Sequence, residues 1–121
     1  MGDKKILVVD DEAAILDFLE SLLVEEGYEV KTTTGHAALN LAQIYRPDLI
    51  LLDVMMPSVN GLEVSEALKA NRGTRDIPVI LMSASKGLIE ALKSSHQVEG
   101  TLEKPFTIEY VLERINQLFD K

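Results

Sequence analysis

Short runs of consecutive apolar residues alternate along the chain with longer stretches in which apolar residues recur every third or fourth position. Lys5-Ile6-Leu7-Val8-Val9 is rich in β-branched residues and stops at Asp10, the pattern of a strand covered on both faces in a parallel sheet. Beyond it Ile15, Phe18, Leu19, Leu22 and Leu23 share one side of a predicted helix, and Gly27 stands where a left-handed C-terminal cap belongs. Tyr28 to Thr33 mixes polar and β-branched residues and predicts a more exposed second strand. In the next helix, Ala37 to Tyr45, the stripe is Ala38, Leu41, Ala42 and Tyr45. Arg46-Pro47 ends it, because proline disfavours helical backbone at the residue before it.

Asp48-Leu49-Ile50-Leu51-Leu52-Asp53 is the second strongly buried strand and again ends in aspartate. A loop with Pro57 and Gly61 leads into a helix from about Leu62 to Asn71, with Gly73 near its end. Ile77 to Met82 reads as a fourth strand, with Pro78 tolerable only near its start. Gly87 to Ser95 predicts a short, weakly amphipathic helix, and Val98 to Leu102 a modest fifth strand. The last helix carries Ile108, Val111, Leu112, Ile115, Leu118 and Phe119 on one face. Five strands alternating with five helices predict an α/β fold, a parallel sheet with helices on both faces.

With 121 residues and no linker, repeat or low-complexity segment, residues 1–121 are expected to form a single domain. Apolar residues at 46% and charged residues at 26% fit a globular protein and argue against disorder. No apolar run reaches the length of a membrane span, and no secretory signal pattern precedes the first strand, so a cytoplasmic location is expected. The absence of cysteine excludes disulfides, thiolate metal sites and thiol nucleophiles. A net charge of -8 argues against direct nucleic-acid binding and in favour of a protein or small-molecule partner. From Asp10 to Glu26 the seven acidic residues meet no Lys or Arg. A solvated helix face accounts for most of that run, but not for Asp10 and Asp11.

In open α/β sheets the ligand crevice lies beyond the carboxyl ends of the strands. If the first and third strands are neighbours, Asp10, Asp11 and Asp53 converge there, and like charges so close repel unless a cation joins them. Carboxylate oxygens without His or Cys select a hard ion, Mg²⁺ above all. Taken singly, Asp11 also suits a helix N-cap and a strand-end aspartate a turn. Ser83 and Lys104 follow the fourth and fifth strands, bringing a hydroxyl and an ammonium to the same edge. An acidic metal site beside a hydroxyl donor and a cation suits a phosphoryl group. His36 and His96 fit no ligand spacing and are expected at the surface, while Met55-Met56 is expected to pack the loop.

Val8-Val9-Asp10-Asp11-Glu12, Leu51-Leu52-Asp53-Val54-Met55-Met56-Pro57, Gly61, Met82-Ser83-Ala84 and Lys104-Pro105-Phe106 together resemble the motif set of response-regulator receivers over nearly the whole chain. The resemblance implies a flavodoxin-like doubly wound sheet of strand order 2-1-3-4-5. It implies that Asp53 takes a phosphoryl group from a phosphohistidine of a sensor histidine kinase or phosphotransfer protein and becomes an aspartyl phosphate. Asp11 and Asp53 would hold Mg²⁺ with the Met55 backbone carbonyl, and Asp10 would help mostly through water. Lys104, before a cis bond to Pro105, would bind a phosphoryl oxygen, and Ser83 would turn toward the group and report it to a downstream protein. On this reading the chain is no enzyme beyond its own phosphorylation and dephosphorylation, and it acts as a monomer or weak dimer without membrane attachment.

Two departures from the family pattern stand out. Thr101 occupies the place, three residues before the lysine, where many receivers carry Tyr or Phe. The segment from Ser83 to Lys104 is one residue shorter than is common, and its Gly87-Leu88-Ile89 start predicts an altered fourth helix. Two other readings compete: a receiver-like interaction module that works without phosphorylation, and a Mg²⁺-dependent phosphatase with an aspartate nucleophile. The second lacks the usual acid two residues past the nucleophile, where Met55 stands, and has no room for a cap.

Overall fold

Parallel strands cannot be joined by tight turns, so each alternation of strand and helix returns the chain to the same side of the sheet through a crossover. The structure, a computed structural model, describes residues 3–57, 59–93 and 98–120. Its strands are β1 (Lys5–Val9), β2 (Glu29–Thr33), β3 (Leu49–Asp53), β4 (Val79–Ser83) and β5 (Gly100–Glu103). Between and after them run α1 (Ala13–Glu25), α2 (Ala38–Tyr45), α3 (Gly61–Ala70), α4 (Lys86–Lys93) and α5 (Ile108–Phe119). All strand pairs are parallel and their order is β2-β1-β3-β4-β5, as the family resemblance implied.

Side chains alternate across a strand, so the two faces divide the core. Leu7, Val9, Ile50, Leu52, Val79 and Leu81 pack toward α2 and α3, joined by Leu88 and Leu92 of α4. Ile6, Val8, Leu49, Leu51, Ile80 and Met82 pack toward α1 and α5. Every residue of β3 and β4 is buried. Each such aliphatic side chain stabilises the fold by about 1.5–3 kcal/mol relative to an exposed one, which is why the continuous apolar runs become the central strands. The edge strand β2 keeps its mixed pattern.

Helix ends follow local chemistry. Gly27, at φ +98°, closes α1: its N–H donates to Val24 O at 3.0 Å and the Tyr28 N–H to Leu23 O at 3.0 Å, the double bond pattern of a Schellman cap. That use of Tyr28 is why β2 begins one residue later than the sequence pattern suggests. Arg46 ends α2 in the left-handed region at φ +54°, its N–H donating to Ala42 O at 3.0 Å, and Pro47 prevents the helix from continuing. A 3-10 turn, Gly35–Ala37, takes the first residue assigned to α2.

Three expectations need adjusting. Phe18 is not core: it is 36% exposed and stacks on Phe106 at a ring separation of 6.3 Å, tying α1 to the loop after β5. The fourth helix is more amphipathic than the sequence pattern suggested, with Ile89 buried and Leu88 and Leu92 packed against the core. It starts at Lys86 and is described to Lys93, so Ser94, Ser95 and His96 lie outside the described residues. Strand β5 starts at Gly100 because Glu99 is otherwise engaged. The Glu99 N–H donates to Val79 O at 3.0 Å, and its Oε1 accepts the Val79 N–H at 2.7 Å. Lys69 Nζ completes this clamp at the amino-terminal edge, donating to Ile77 O at 3.0 Å and pairing with Glu99 Oε1 at 3.3 Å.

Candidate functional site

Four polar side chains reach the opposite, carboxyl-terminal edge because four parallel strands end there together. Asp10 follows β1, with its N–H donating to Thr33 O at 3.1 Å. Asp53 ends β3 and pairs in register with Met82, Ser83 ends β4 opposite Glu103, and the Lys104 N–H donates to Ser83 O at 2.8 Å. Lys104 Nζ lies 2.8 Å from Asp10 Oδ2, 3.4 Å from Asp53 Oδ1 and 3.6 Å from Glu12 Oε1. The other Asp10 oxygen accepts the Glu12 N–H at 2.9 Å.

Both central carboxylates are shielded from water, Asp10 at 0% and Asp53 at 4% exposure. Burial raises the Asp53 pKa above its ordinary value and the Asp10 charge adds to that; the Lys104 ammonium and the Met55 N–H only partly offset them. For Lys104, burial works against the cation, but the bond and charge of Asp10 and the charge of Asp53 outweigh it and raise its pKa. One ammonium thus serves two buried carboxylates and leaves the site with surplus negative charge.

The remaining expected residues stand around this trio. Asp11 is half-buried, its Oδ1 accepting the Gly35 N–H at 3.4 Å. It does not cap α1: the N-cap position falls to Glu12, with no side-chain bond. Met55 is 65% exposed and forms an isolated bridge with Asn60, whereas Met56 is buried in the core as expected. Ser83 is fully buried and its Oγ accepts the Ser85 N–H at 3.0 Å. Thr101 is buried in β5, opposite Leu81. The Lys104-Pro105 bond is cis. His36 is exposed, in keeping with a surface role.

Gly61 shapes the site from behind. A Cβ there would collide with the Asp53 carbonyl oxygen and come within 2.6 Å of Val54 Cα, so only glycine lets α3 start against the end of β3. The Gly61 N–H donates to Val54 O at 2.9 Å across that close approach.

Asp10, Asp53 and Lys104 are therefore in direct contact, while Asp11 and the Met55 backbone flank them. Among the described residues no trio of Asp, Glu or His is gathered closely enough to enclose a cation: Asp10 is turned to Lys104 and Asp11 to Gly35. The donor chemistry still fits a hard divalent ion, being all oxygen, and two carboxylates against one ammonium leave the site a charge that such an ion would neutralise. Two participants were not singled out from the sequence. Glu12, the third acid after the β1 run, adds to the field at Lys104. Ser85, a serine three residues before Leu88, carried an N-cap signal for α4.

The profile of the response regulator receiver domain matches residues 6–116. The chain belongs to this family. The receiver domain is 36% identical over 115 residues to the polar-differentiation response regulator DivK of Brucella anthropi, covering 93% of both chains. It superposes on the chemotaxis protein CheY4 of Vibrio cholerae with a TM-score of 0.85 at 31% identity, covering 96% of this chain and 98% of that one. The receiver domain of the sensor histidine kinase PA1611 of Pseudomonas aeruginosa, described with a magnesium ion coordinated in the active site cleft, matches with a TM-score of 0.87 at 25% identity over 99% and 100% of the two chains. Among the described residues, no helix of this receiver domain is long and apolar enough to cross a membrane.

Proposed function

We propose that this receiver domain is a phosphorylation-dependent signalling switch with Asp53 as its acceptor. The observation that carries the reading is the Lys104 ammonium, 3.4 Å from an oxygen of the buried Asp53, whose pKa burial and Asp10 raise. A carboxylate is a competent nucleophile, and a fixed cation beside it receives the charge that transfer brings.

In the step proposed, an Asp53 oxygen forms a bond to phosphorus while the N–P bond of a phosphohistidine breaks. The imidazole leaves with the electron pair and takes up a proton. Lys104 Nζ then donates to a phosphoryl oxygen, and the Ser83 hydroxyl supplies a second donor from the end of β4. Asp11 and Asp53, the Met55 backbone carbonyl and, through water, Asp10 would hold Mg²⁺. Bound there, the ion neutralises phosphoryl and carboxylate charge together. The donor is a sensor histidine kinase or phosphotransfer protein, the setting cytoplasmic, and the output a changed surface for a downstream protein. The domain turns over no other substrate.

The test is incubation with acetyl phosphate and Mg²⁺, followed by intact-mass measurement of the wild type and Asp53→Ala. One added phosphoryl group that disappears in the variant and on chelation is the expected result. No addition to the folded wild type would instead favour an interaction module independent of phosphorylation.

A further inference from the structure

The segment between β4 and α4 contains a chain of two side-chain hydrogen bonds that leads from the site to a helix. Ser83 Oγ accepts the Ser85 N–H at 3.0 Å, and Ser85 Oγ accepts the Leu88 N–H at 3.2 Å. Ser85 O also receives the first helical bond of α4, from the Ile89 N–H at 3.0 Å. Ser85 is thus the N-cap of α4, and its own backbone is held by the hydroxyl of a residue at the site.

Three further observations make this link consequential. Ser83 is fully buried and, among the described residues, its hydroxyl proton has no acceptor, so the group is free to donate. The first turn of the helix it reaches contains Gly87, which weakens it. The buried residue at the matching place in β5 is Thr101, whose short side chain cannot swing between core and surface as an aromatic ring can.

We infer that Ser85 couples the state of the Ser83 hydroxyl to the first turn of α4. The inference rests on the reading of Asp53 as the phosphoryl acceptor. When the Ser83 hydroxyl turns to a phosphoryl oxygen, Oγ leaves the Ser85 N–H. That half-buried donor must find another acceptor, Ser85 shifts, and its Oγ gives up the Leu88 N–H. The start of α4 loosens, and with it the wall formed by Ser85 and Leu88 in the groove of about 710 Å³ that Met55, Met56 and Asn60 line on the other side. Ser85 is a positioning residue: it touches neither the phosphoryl group nor Asp53.

Amide hydrogen exchange by NMR tests this in the full chain, with and without acetyl phosphate and Mg²⁺, on samples whose phosphorylation is measured by intact mass. Phosphorylation of the wild type is expected to speed exchange at the Leu88 amide roughly fivefold, the factor lost with a side-chain cap. In Ser83→Ala, which removes the acceptor of the Ser85 N–H outright, exchange at Leu88 is already fast and phosphorylation adds nothing. In Ser85→Ala exchange is already fast and phosphorylation adds nothing, whereas Ser85→Asp, which keeps a capping oxygen, restores the response. A phosphorylated wild type with unchanged Leu88 exchange, or a response that survives Ser83→Ala, overturns the inference alone. Absence of phosphoryl mass on folded wild type overturns the reading of Asp53 and the inference with it.

Discussion

Lys104 Nζ sits 2.8 Å from Asp10 Oδ2, a contact between residues at the ends of β5 and β1 in which the lysine side chain is 12% exposed and the aspartate 0%. Two strands that are not neighbours in the sheet are thereby joined across β3 and β4. Removing one partner of such a buried pair leaves the other charged and unpaired, which costs more than the pair contributes. Lys104→Met is expected to lower stability by about 3 kcal/mol in urea denaturation without metal. Adding Asp10→Asn should recover a large part of that loss. Strictly additive losses in the double variant would mean that the two residues do not act as a pair.

Asp53 gives the opposite sign. Its folded-state pKa is raised, so the fold prefers the protonated acid. The stability it contributes is fully present below its ordinary value of 3.8 and is lost as pH rises through the raised folded value. At neutral pH in a chelating buffer, Asp53→Asn is therefore expected to raise the melting temperature by several degrees, the equivalent of roughly 1 kcal/mol. The gain should shrink as the pH is lowered toward that window. Equal melting temperatures for the two proteins at neutral pH would show that Lys104 already compensates Asp53 in full.

Most of this arrangement was legible in the sequence, for a physical reason: a strand buried on both faces has no freedom in composition, so β1, β3 and β4 announce themselves and their last residues are fixed to one edge. What the sequence hid depends on partners far along the chain. Phe18 has the spacing of a core residue, but its stacking on Phe106 is settled by where the loop after β5 returns. Asp11 and Asp10 are adjacent and chemically identical, yet Lys104 claims one and the Gly35 amide the other. The start of β5 was misplaced because a side chain, Glu99, takes the Val79 N–H that a strand would have engaged.

Gly61 offers a steric test. Gly61→Ala drives a methyl group into the Asp53 carbonyl and Val54, an overpacking against backbone that flexible side chains cannot absorb. A stability loss of about 2–3 kcal/mol is expected, with slower phosphorylation by acetyl phosphate because the proposed acceptor is displaced. A variant as stable as the wild type would show that α3 moves away without cost.

Met55 stands exposed two residues past Asp53, the proposed acceptor, and a thioether neither orients nor activates water well. The phosphoryl group on Asp53 is expected to be long-lived, and Met55→Asn, which offers an amide to an attacking water, should shorten its half-life about tenfold. Decay followed by intact mass after removal of the phosphodonor gives the comparison. Matching half-lives would place control of hydrolysis elsewhere in the site.

The clamp of Lys69, Glu99 and Val79 closes the edge of the sheet farthest from Asp53. It ties the amino-terminal ends of β4 and β5 together at the end of the sheet away from Asp53. With that end tied, β4 and β5 are held against sliding, and a rearrangement at the carboxyl ends is expected to fall on the loops. The sheet works as an anvil: it stays still so that small rearrangements between β4 and α4 become changes of shape at the surface.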